Sequence, residues 1–353
     1  MAPKNTNKKI DLLLTAAVQQ RASDLHLAVK MPPTLRVNGD LVELSNEGPL
    51  SSANVEEMVM SMLTKDEQKK FIENRELDFS YEVVGVSRFR VNIHWEKEHI
   101  GLVARVVSNH IPTMEELYFP QTVYNLVRGR QGLILITGPT GCGKSTSLAA
   151  MIDLINTERR AHIVTLEDPI EFIHTSKQSL IRQRQLHSDF LSFAEALKHV
   201  VRQDPNVIMV GEMRDMETIA AAITVAETGH LVFATLHTIS AAETIDRIVD
   251  IFPPHQQEQI RVQLAAELRG VISQQLLPRV SGGRVAAREI LVNTPAIANL
   301  IRENKISQIK TVIQTSANIG MQTLDQDIRG LYQRGEITED TAKMYMSNPM
   351  GLE

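Results

Sequence analysis

The spacing of apolar residues differs before and after residue 110, and the two spacings predict different sheets. In the first part, LDFSYEV, SRFRVNIHW and HIGLVARVV alternate apolar with polar residues, which is typical of antiparallel strands with one covered face. Asn38-Gly39 lies between two more alternating runs and predicts a hairpin. A stripe with helical spacing predicts an opening helix, formed by Ile10, Leu13, Leu14, Ala17 and Val18.

A helical stretch from Ala53 to Asn74 completes a predicted α+β domain over residues 1–110, and Pro112 and Pro120 bracket a predicted linker over residues 111–120. From residue 121 on, the short apolar runs GLILITG, HIVTLED, VIMVGE and HLVFATLH are continuous and alternate with long helical segments. This pattern predicts an α/β domain over residues 121–353, with a parallel sheet covered on both faces. After a Gly282-Gly283 turn, the chain is mostly helical in pattern from about residue 295.

Composition narrows the function classes. The 353 residues suit two domains, and 37 Lys plus Arg against 42 Asp plus Glu give a net charge of -5. A nucleic-acid groove is disfavoured because it needs clustered basic residues, and aromatic residues for base stacking make up only 4% of the chain. The single cysteine, Cys142, fits a reducing, cytosolic compartment. No run reaches the roughly 20 apolar residues of a membrane span, so we expect a soluble chain.

The stretch GPTGCGKS matches the G-x-x-x-x-G-K-[ST] phosphate-binding loop, with a strand before it and a helix after it. The glycines let backbone N–H groups point at phosphate oxygens, Lys144 reaches the β- and γ-phosphates of ATP, and the Ser145 hydroxyl binds Mg²⁺. We expect Cys142 to be a small filler here rather than a redox sensor. The predicted nucleotide-binding residues are Gly138, Pro139, Thr140, Gly141, Cys142, Gly143, Lys144, Ser145 and Thr146.

Carboxylates follow two predicted strands. Glu167 and Asp168 end one strand, and Glu212 follows another. Because the carboxyl ends of parallel strands share one edge of a sheet with the phosphate loop, we expect these acids to serve nucleotide hydrolysis. His237 ends a third strand at this edge, whereas His230 stands at the opposite end of that strand. From the residues alone, Glu167 and Glu212 could exchange the roles of general base and metal ligand.

The stretches GPTGCGKS, TLEDPIE, VGEMRD and TGHLVFATLHT resemble the Walker A, Asp, Walker B and His boxes of secretion and type IV pilus ATPases. SDLHL, SRFRVN and GMQTLDQDI extend the resemblance over nearly the whole chain, which is most similar to PilT-type pilus retraction (twitching-motility) ATPases. The resemblance implies a PAS-like domain, a RecA-like P-loop ATPase domain with a helical C-terminal region, and a ring of six subunits. It also implies that this ring acts on an inner-membrane pilus platform protein, alongside a second retraction ATPase.

The resemblance also implies individual roles. Glu167 would be the general base, Glu212 would hold Mg²⁺ largely through water, and His237 would sense the γ-phosphate. Arg90 and Arg105 of the first domain would contact nucleotide phosphates. Asp168 and His230 belong to the family boxes without a role of their own. We expect Arg214 and Asp215, after Glu212, to be a cap and surface pair for the next helix.

Two departures from the family pattern concern other regions. AIANLIRE carries Ala298 where the family has an arginine in a motif linked to retraction, and NIHWEKEHIG lacks the expected glycine- and asparagine-rich hairpin. Ala298 leaves an accessory retraction ATPase open. Pilus-assembly and type II secretion ATPases are disfavoured, because they carry further N-terminal domains and a four-cysteine zinc insertion. A nucleotide-gated scaffold without turnover is disfavoured by the presence of Lys144, Glu167 and Glu212.

Overall fold

The computed structural model describes residues 8–37, 39–44, 47–107 and 110–349, and it divides into two compact units, Met1–His110 and Ile111–Glu353. The first unit is a six-stranded antiparallel sheet in the order β3-β2-β1-β6-β5-β4. Its strands are β1 (Asp24–Leu27), β2 (Thr34–Val37), β3 (Asp40–Glu43), β4 (Glu76–Val83), β5 (Ser87–Glu96) and β6 (His99–Val106). Its helices are α1 (Lys8–Gln19), α2 (Ser52–Met62) and α3 (Lys65–Asn74).

Alternation along β5 confirms a sheet with one covered face, because Phe89 and Val91 are buried while Arg90 between them is exposed. The predicted hairpin joins β2 and β3 in antiparallel pairing, and Gly39 has a φ of 97°. Asn38 of that turn lies outside the described residues.

The stretch from Ala53 to Asn74 is helical, as predicted, and it is divided into two helices. The backbone is extended at Leu63, and Thr64 then starts α3 as its N-cap. Thr64 accepts a hydrogen bond from the Glu67 main chain while the Glu67 carboxylate accepts one from Thr64 N. This reciprocal capping satisfies two donors of a new helix N-terminus and favours a restart over a continuous helix.

The second unit is built on a seven-stranded sheet in the order β13-β12-β7-β11-β10-β8-β9. All neighbours in it are parallel except β12 and β13. Its strands are β7 (Gly132–Thr137), β8 (His162–Glu167), β9 (Leu180–Gln185), β10 (Val207–Val210), β11 (Leu231–Leu236), β12 (Leu268–Pro278) and β13 (Arg284–Val292).

Both faces of this sheet are covered, as the continuous apolar runs predict. In β7, Leu133 and Leu135 pack into one apolar cluster, while Ile134 and Ile136 pack into another on the opposite face. The predicted turn at Gly282-Gly283 lies between β12 and β13. The helices that precede β13 are α4 (Gln121–Val127), α5 (Lys144–Glu158), α6 (Phe193–Val200), α7 (Met216–Glu227), α8 (Ala241–Asp250) and α9 (Pro254–Glu267).

The chain after β13 is mainly helical, which confirms the predicted helical C-terminal region. It forms α10 (Pro295–Arg302), α11 (Ile309–Thr315), α12 (Leu324–Gln333) and α13 (Glu339–Tyr345). None of the helices in the described part of the chain is both long enough and apolar enough to cross a membrane.

Candidate active site

A pocket of about 390 Å³ opens at the carboxyl ends of the parallel strands of the second unit. It brings together most of the residues that the sequence predicts for the site. These are Thr140, Gly141, Gly143, Lys144, Ser145 and Thr146 of the phosphate loop, with Glu167, Asp168, Glu212 and His237 from the ends of neighbouring strands.

The phosphate loop turns directly from β7 into α5. Gly143, with a φ of 89°, is the N-cap of α5 and supplies no side-chain cap, so first-turn N–H groups of α5 are available to an anion. Lys144 lies back across its own loop, where its Nζ donates to the carbonyl oxygens of Gly138 (2.7 Å) and Pro139 (3.1 Å). The arrangement suits phosphate binding, because it concentrates N–H donors and one ammonium group at a helix N-terminus.

Gln274 on β12 fixes the loop from beneath and was not predicted from the sequence. Its buried side chain donates from Nε2 to the carbonyl oxygen of Cys142 (2.7 Å) and accepts at Oε1 from the Ser147 hydroxyl (2.8 Å). The main-chain carbonyl of Gln274 also leaves no room for a Cβ at Gly138. The sequence signal for this contact was the polar run Ser273-Gln274-Gln275 between the apolar residues of GVISQQLL.

Glu167 is the most perturbed acid in the pocket. Its side chain is buried, with the residue 7% exposed, and burial raises the pKa of Glu167 to about 7. Two donors act in the opposite direction: the Thr165 hydroxyl, 2.6 Å from Glu167 Oε1, and Gln183 Nε2, 3.0 Å from the same oxygen. A carboxylate with a pKa near neutrality can take a proton and lose it again under ordinary conditions, as a general base must.

Gln183 connects Glu167 to the loop that follows β8. Besides Glu167, its Nε2 donates to the carbonyl oxygen of Phe172 (2.8 Å), and its Oε1 accepts from the main-chain N–H of His174 (2.8 Å). Phe172 and His174 both line the pocket. Gln183 lies on β9, an edge strand that the sequence analysis did not predict, so this residue was missed as well.

Glu212 is held between the Arg214 guanidinium and the His237 imidazole. Arg214 Nη2 is 2.7 Å from Glu212 Oε2, and His237 Nε2 is 2.8 Å from Glu212 Oε1. Burial opposes ionisation, but the Arg214 hydrogen bond and the His237 interaction outweigh it, so the pKa of Glu212 lies below its usual value. The ring of His237 also lies 3.5 Å from Lys144 Nζ through its Nδ1, which links the end of β11 to the phosphate loop.

Arg214 and Asp215, predicted as a cap and surface pair after Glu212, make different contacts. Asp215 is the N-cap of α7, as predicted, and accepts from the Thr218 main chain at 2.8 Å. Arg214 lies at the surface, as predicted, with its side chain 70% exposed, and its guanidinium is also bonded to Glu212. The i to i+2 spacing of the two residues immediately after a buried strand could have indicated the pair.

The other predicted residues are not among those that line the pocket. His230 precedes β11 at the far end of the sheet, and its Nδ1 lies 3.0 Å from the Thr228 hydroxyl. Cys142 is 3% exposed, and burial raises the pKa of its thiol, which opposes the thiolate that redox sensing needs. In the first unit, Arg90 and Arg105 are paired across β5 and β6, and Arg105 Nε is 2.8 Å from Asp24.

A magnesium ion fits the oxygen atoms of this pocket. Ser145 and Glu212 both line it, and Mg²⁺ is usually held by one or two protein oxygens together with substrate phosphates and water. The described residues contain no group of three or more His, Cys, Asp or Glu side chains placed to bind a metal by themselves.

A buried parallel sheet that places a phosphate loop beside strand-end carboxylates defines a P-loop ATPase. Residues 3–282 match the family model described as Type II/IV secretion system protein, and the chain belongs to this family and is an ATPase. The predicted α/β fold class, with RecA-like and PAS-like parts, is confirmed by a solved structure. The crystal structure of the pilus retraction motor PilT with bound ADP has a TM-score of 0.91 and 43% identity, and the match covers 97% of this chain and 98% of that one.

Three relatives are similar over most of their length. The type IV pilus retractation ATPase PilT of Pseudomonas aeruginosa is 49% identical over 331 residues, which is 94% of this chain and 96% of the relative. The twitching motility protein of Neisseria gonorrhoeae is 48% identical over 96% of this chain and 90% of its own length. The type IV pilus ATPase PilU of Pseudomonas aeruginosa is 39% identical over 95% of this chain and 87% of its own length.

Proposed function

We propose that this protein is an ATP-driven motor that retracts type IV pili and so powers twitching motility. The observation that carries the proposal is the 49% identity to the retraction ATPase PilT along 94% of this chain and 96% of that relative. The pocket supports it, because a phosphate loop, a near-neutral carboxylate and a paired carboxylate are what nucleotide hydrolysis needs.

In the proposed reaction, Lys144 holds the β- and γ-phosphates while a water molecule attacks the γ-phosphorus. Glu167 takes the proton of that water, the bond between the γ-phosphorus and the bridging oxygen breaks, and ADP and phosphate leave. His237 contacts the γ-phosphate and reports its presence. The pKa of about 7 supports Glu167 as the base, since close to half of it is ionised at neutral pH.

Ser145 and Glu212 are the proposed Mg²⁺ ligands, with Glu212 acting partly through water. When bound, the ion neutralises charge that develops on the phosphates. The pairing of Glu212 with Arg214 and His237 keeps this carboxylate ionised, as a metal ligand must be. From the chemistry of the side chains alone, the roles of Glu167 and Glu212 remain exchangeable, and burial favours Glu167 as the base.

Force generation is proposed to involve the first unit. Residues 1–110 are assigned to a PAS-like domain, 111–120 to a linker, and 121–353 to the ATPase domain with its helical end. Arg90 and Arg105 are the proposed contacts to nucleotide phosphates, and their placement directly opposite each other on adjacent strands supports a joint role. For Arg105 this role requires release from Asp24, to which it is bonded at 2.8 Å.

The proposed assembly is a ring of six copies in the cytoplasm, bound at the inner membrane to a pilus platform protein and joined by a second retraction ATPase. Light scattering on the purified protein with ATP and Mg²⁺ tests the ring, with six copies expected.

Measurement of phosphate release tests the active-site residues. Wild-type turnover in Lys144→Ala or Glu212→Ala protein would contradict their assigned roles.

Deletion with complementation tests the cellular role. Loss of the gene should leave cells piliated, even hyperpiliated, but unable to twitch, and the wild-type gene should restore movement. Cells without pili would instead indicate a pilus-assembly ATPase.

An accessory retraction role is the second candidate, and Ala298 is the observation that favours it. Ala298 lies on α10 and is 9% exposed. Because alanine stands where the family motif has an arginine, the positive charge of that motif is missing here. Continued twitching after deletion, lost only when a second retraction ATPase gene is also removed, would support the accessory role.

A further inference from the structure

A second cavity, of about 320 Å³, lies within the C-terminal unit and is separate from the ATPase pocket in its lining. It is formed by the segment that precedes α4, by β13 and by α12. The residues that matter for its chemistry are Tyr118, Phe119, Arg288, Asp327 and Arg334.

Arg288 is a buried cation that forms no ion pair with the described residues, although the charge of Asp327 acts on it. The residue is 4% exposed, and its guanidinium lies 3.9 Å from the centre of the Phe119 ring. Its Nε has no hydrogen-bond partner, and no carboxylate of the described chain lies within ion-pair distance of the guanidinium. Burial lowers the pKa of Arg288 to about 10, which reflects the cost of keeping this charge out of water.

The carboxylates near the cavity are already engaged. Asp327 Oδ2 accepts the main-chain N–H of Arg288 at 2.8 Å. Burial raises the pKa of Asp327, while this hydrogen bond and the charges of Arg288 and Arg334 act in the opposite direction. Glu336 is bonded to Arg279, with Nε 2.5 Å from Oε2, and Arg279 also contacts the Tyr118 hydroxyl. Neither acid compensates the charge of Arg288 by a direct bond.

Arg334 adds a second guanidinium at the cavity. It is the C-cap residue of α12, its side chain is exposed, and it forms no ion pair with any residue in the described ranges. Guanidinium groups present planar pairs of N–H donors that match the two oxygens of a carboxylate or a phosphate. The lining therefore holds two guanidinium groups and one carboxyl, that of Asp327, so its cationic side chains outnumber its acid.

We propose that this cavity binds a small oxyanion, a phosphate or a carboxylate, between Arg288 and Arg334. The stacking on Phe119 orients the Arg288 guanidinium, so that ligand binding needs little ordering of that side chain. Bound there, the anion ties the segment before α4 to β13 and α12. The site is independent of the proposed hydrolysis, because none of its residues lines the ATPase pocket.

The test uses the full chain with saturating ADP and Mg²⁺, so that the phosphate loop is already occupied. Inorganic phosphate and, separately, succinate are titrated by calorimetry and by melting temperature, against sodium chloride of equal ionic strength. Binding of one anion per chain and a melting temperature that rises with its concentration are expected. A response to phosphate alone assigns a phosphate ligand, and a response to succinate alone assigns a carboxylate ligand.

Two variants remove the site in different ways. Arg334→Gln changes an exposed residue and should weaken binding roughly tenfold or more without lowering the ligand-free melting temperature. Arg288→Met should abolish binding while retaining a ligand-free melting temperature at least as high as that of the wild type, since an unpaired buried charge is removed. Arg247→Gln, an exposed arginine on α8, is the matched control and should bind as the wild type does.

The absence of any response beyond that in chloride would overturn the proposal. So would a response that persists unchanged in both Arg288→Met and Arg334→Gln, because the anion would then bind elsewhere. A ligand-free Arg288→Met protein that melts well below the wild type would show that Arg288 serves packing in the absence of an anion, and would also count against the site.

Discussion

Replacing Gln183 by leucine should move the pH dependence of ATP hydrolysis. Gln183 donates from Nε2 to Glu167 at 3.0 Å and touches neither the phosphate loop nor Glu212 by any hydrogen bond in the described structure. Leucine has nearly the same volume but no donor. The carboxylate of Glu167 would lose one of the two side-chain hydrogen bonds that favour its ionised form.

The expected magnitude follows from the value of one hydrogen bond to a charged group. Such a bond contributes about 1.5–3 kcal/mol, or about one to two pKa units. The pKa of Glu167, raised to about 7 by burial, should therefore rise to roughly 8–9. At pH 7 the ionised fraction falls from about one half to roughly 1–10%, so turnover should fall roughly 5- to 50-fold.

Phosphate release measured from pH 5.5 to pH 10 at saturating ATP and Mg²⁺ checks this. The acid limb of the kcat profile should move up by about one to two pH units, and activity should approach that of the wild type at high pH. Thr165→Val removes the other donor, 2.6 Å from Glu167, and should move the limb in the same direction. Gln178→Leu is the matched control, because Gln178 bonds the Thr157 carbonyl and not Glu167.

An acid limb that stays in place while kcat falls equally at every pH would refute the reasoning. In that case Gln183 would act through the loop it holds at Phe172 and His174 rather than through the ionisation of Glu167. A limb that moves to lower pH would contradict the direction of the effect itself.

Three further predictions concern the same pocket. Burial raises the pKa of Glu167 from its ordinary value of 4.5 to about 7, so the native state binds this proton more tightly than the unfolded chain does. The burial of Glu167 therefore destabilises the fold increasingly from pH 4.5 to 7, by about 3 kcal/mol above that range. Glu167→Gln should therefore melt higher than wild type at pH 8 but not at pH 5, and an equal melting temperature at pH 8 would contradict this. Glu212→Gln should raise the Mg²⁺ concentration needed for half-maximal turnover, whereas Glu167→Gln should lower kcat and leave that Mg²⁺ concentration unchanged. A raised Mg²⁺ requirement in Glu167→Gln instead of Glu212→Gln would exchange the roles of the two residues. Gln274→Leu leaves the buried Cys142 carbonyl unpaired, so it should lower the free energy of unfolding by about 1–3 kcal/mol and weaken ADP binding. The neighbouring control, Gln275→Leu, should change neither the stability nor the affinity for ADP.

The sequence was most informative where one physical requirement governs several consecutive residues. Strands buried on both faces must be apolar throughout, so β7, β8, β10 and β11 were predictable from their runs. The phosphate loop was predictable because glycine, lysine and a hydroxyl are needed at fixed spacing. The strand-end acids followed from the topology of parallel sheets.

The sequence was least informative where a polar residue serves a partner far along the chain. The edge strand β9 reads LIRQRQ and lacks an apolar pattern, because Gln183 and Gln185 turn their amide groups toward the loop after β8. Gln274 meets Cys142 across 132 residues of sequence. Such pairs leave no local periodicity, so only the folded chain reveals them. The boundary between α2 and α3 is different, because Thr64 followed three residues later by Glu67 is a capping pattern that can be read from the sequence.

The two charged groups proposed to meet Mg²⁺ and ATP are both already bonded within the protein. Lys144 donates to the carbonyls of Gly138 and Pro139, and the Glu212 carboxylate is shared by Arg214 and His237. Binding of nucleotide and metal in the proposed roles must replace these bonds, so part of the binding free energy goes into releasing them. Arg214 and His237 follow β10 and β11, in the loops that lead into α7 and α8. Breaking their bonds to Glu212 therefore changes the contacts of these two loops. A ligand that binds only the released arrangement shifts the protein toward it, which is the physical requirement for turning hydrolysis into motion.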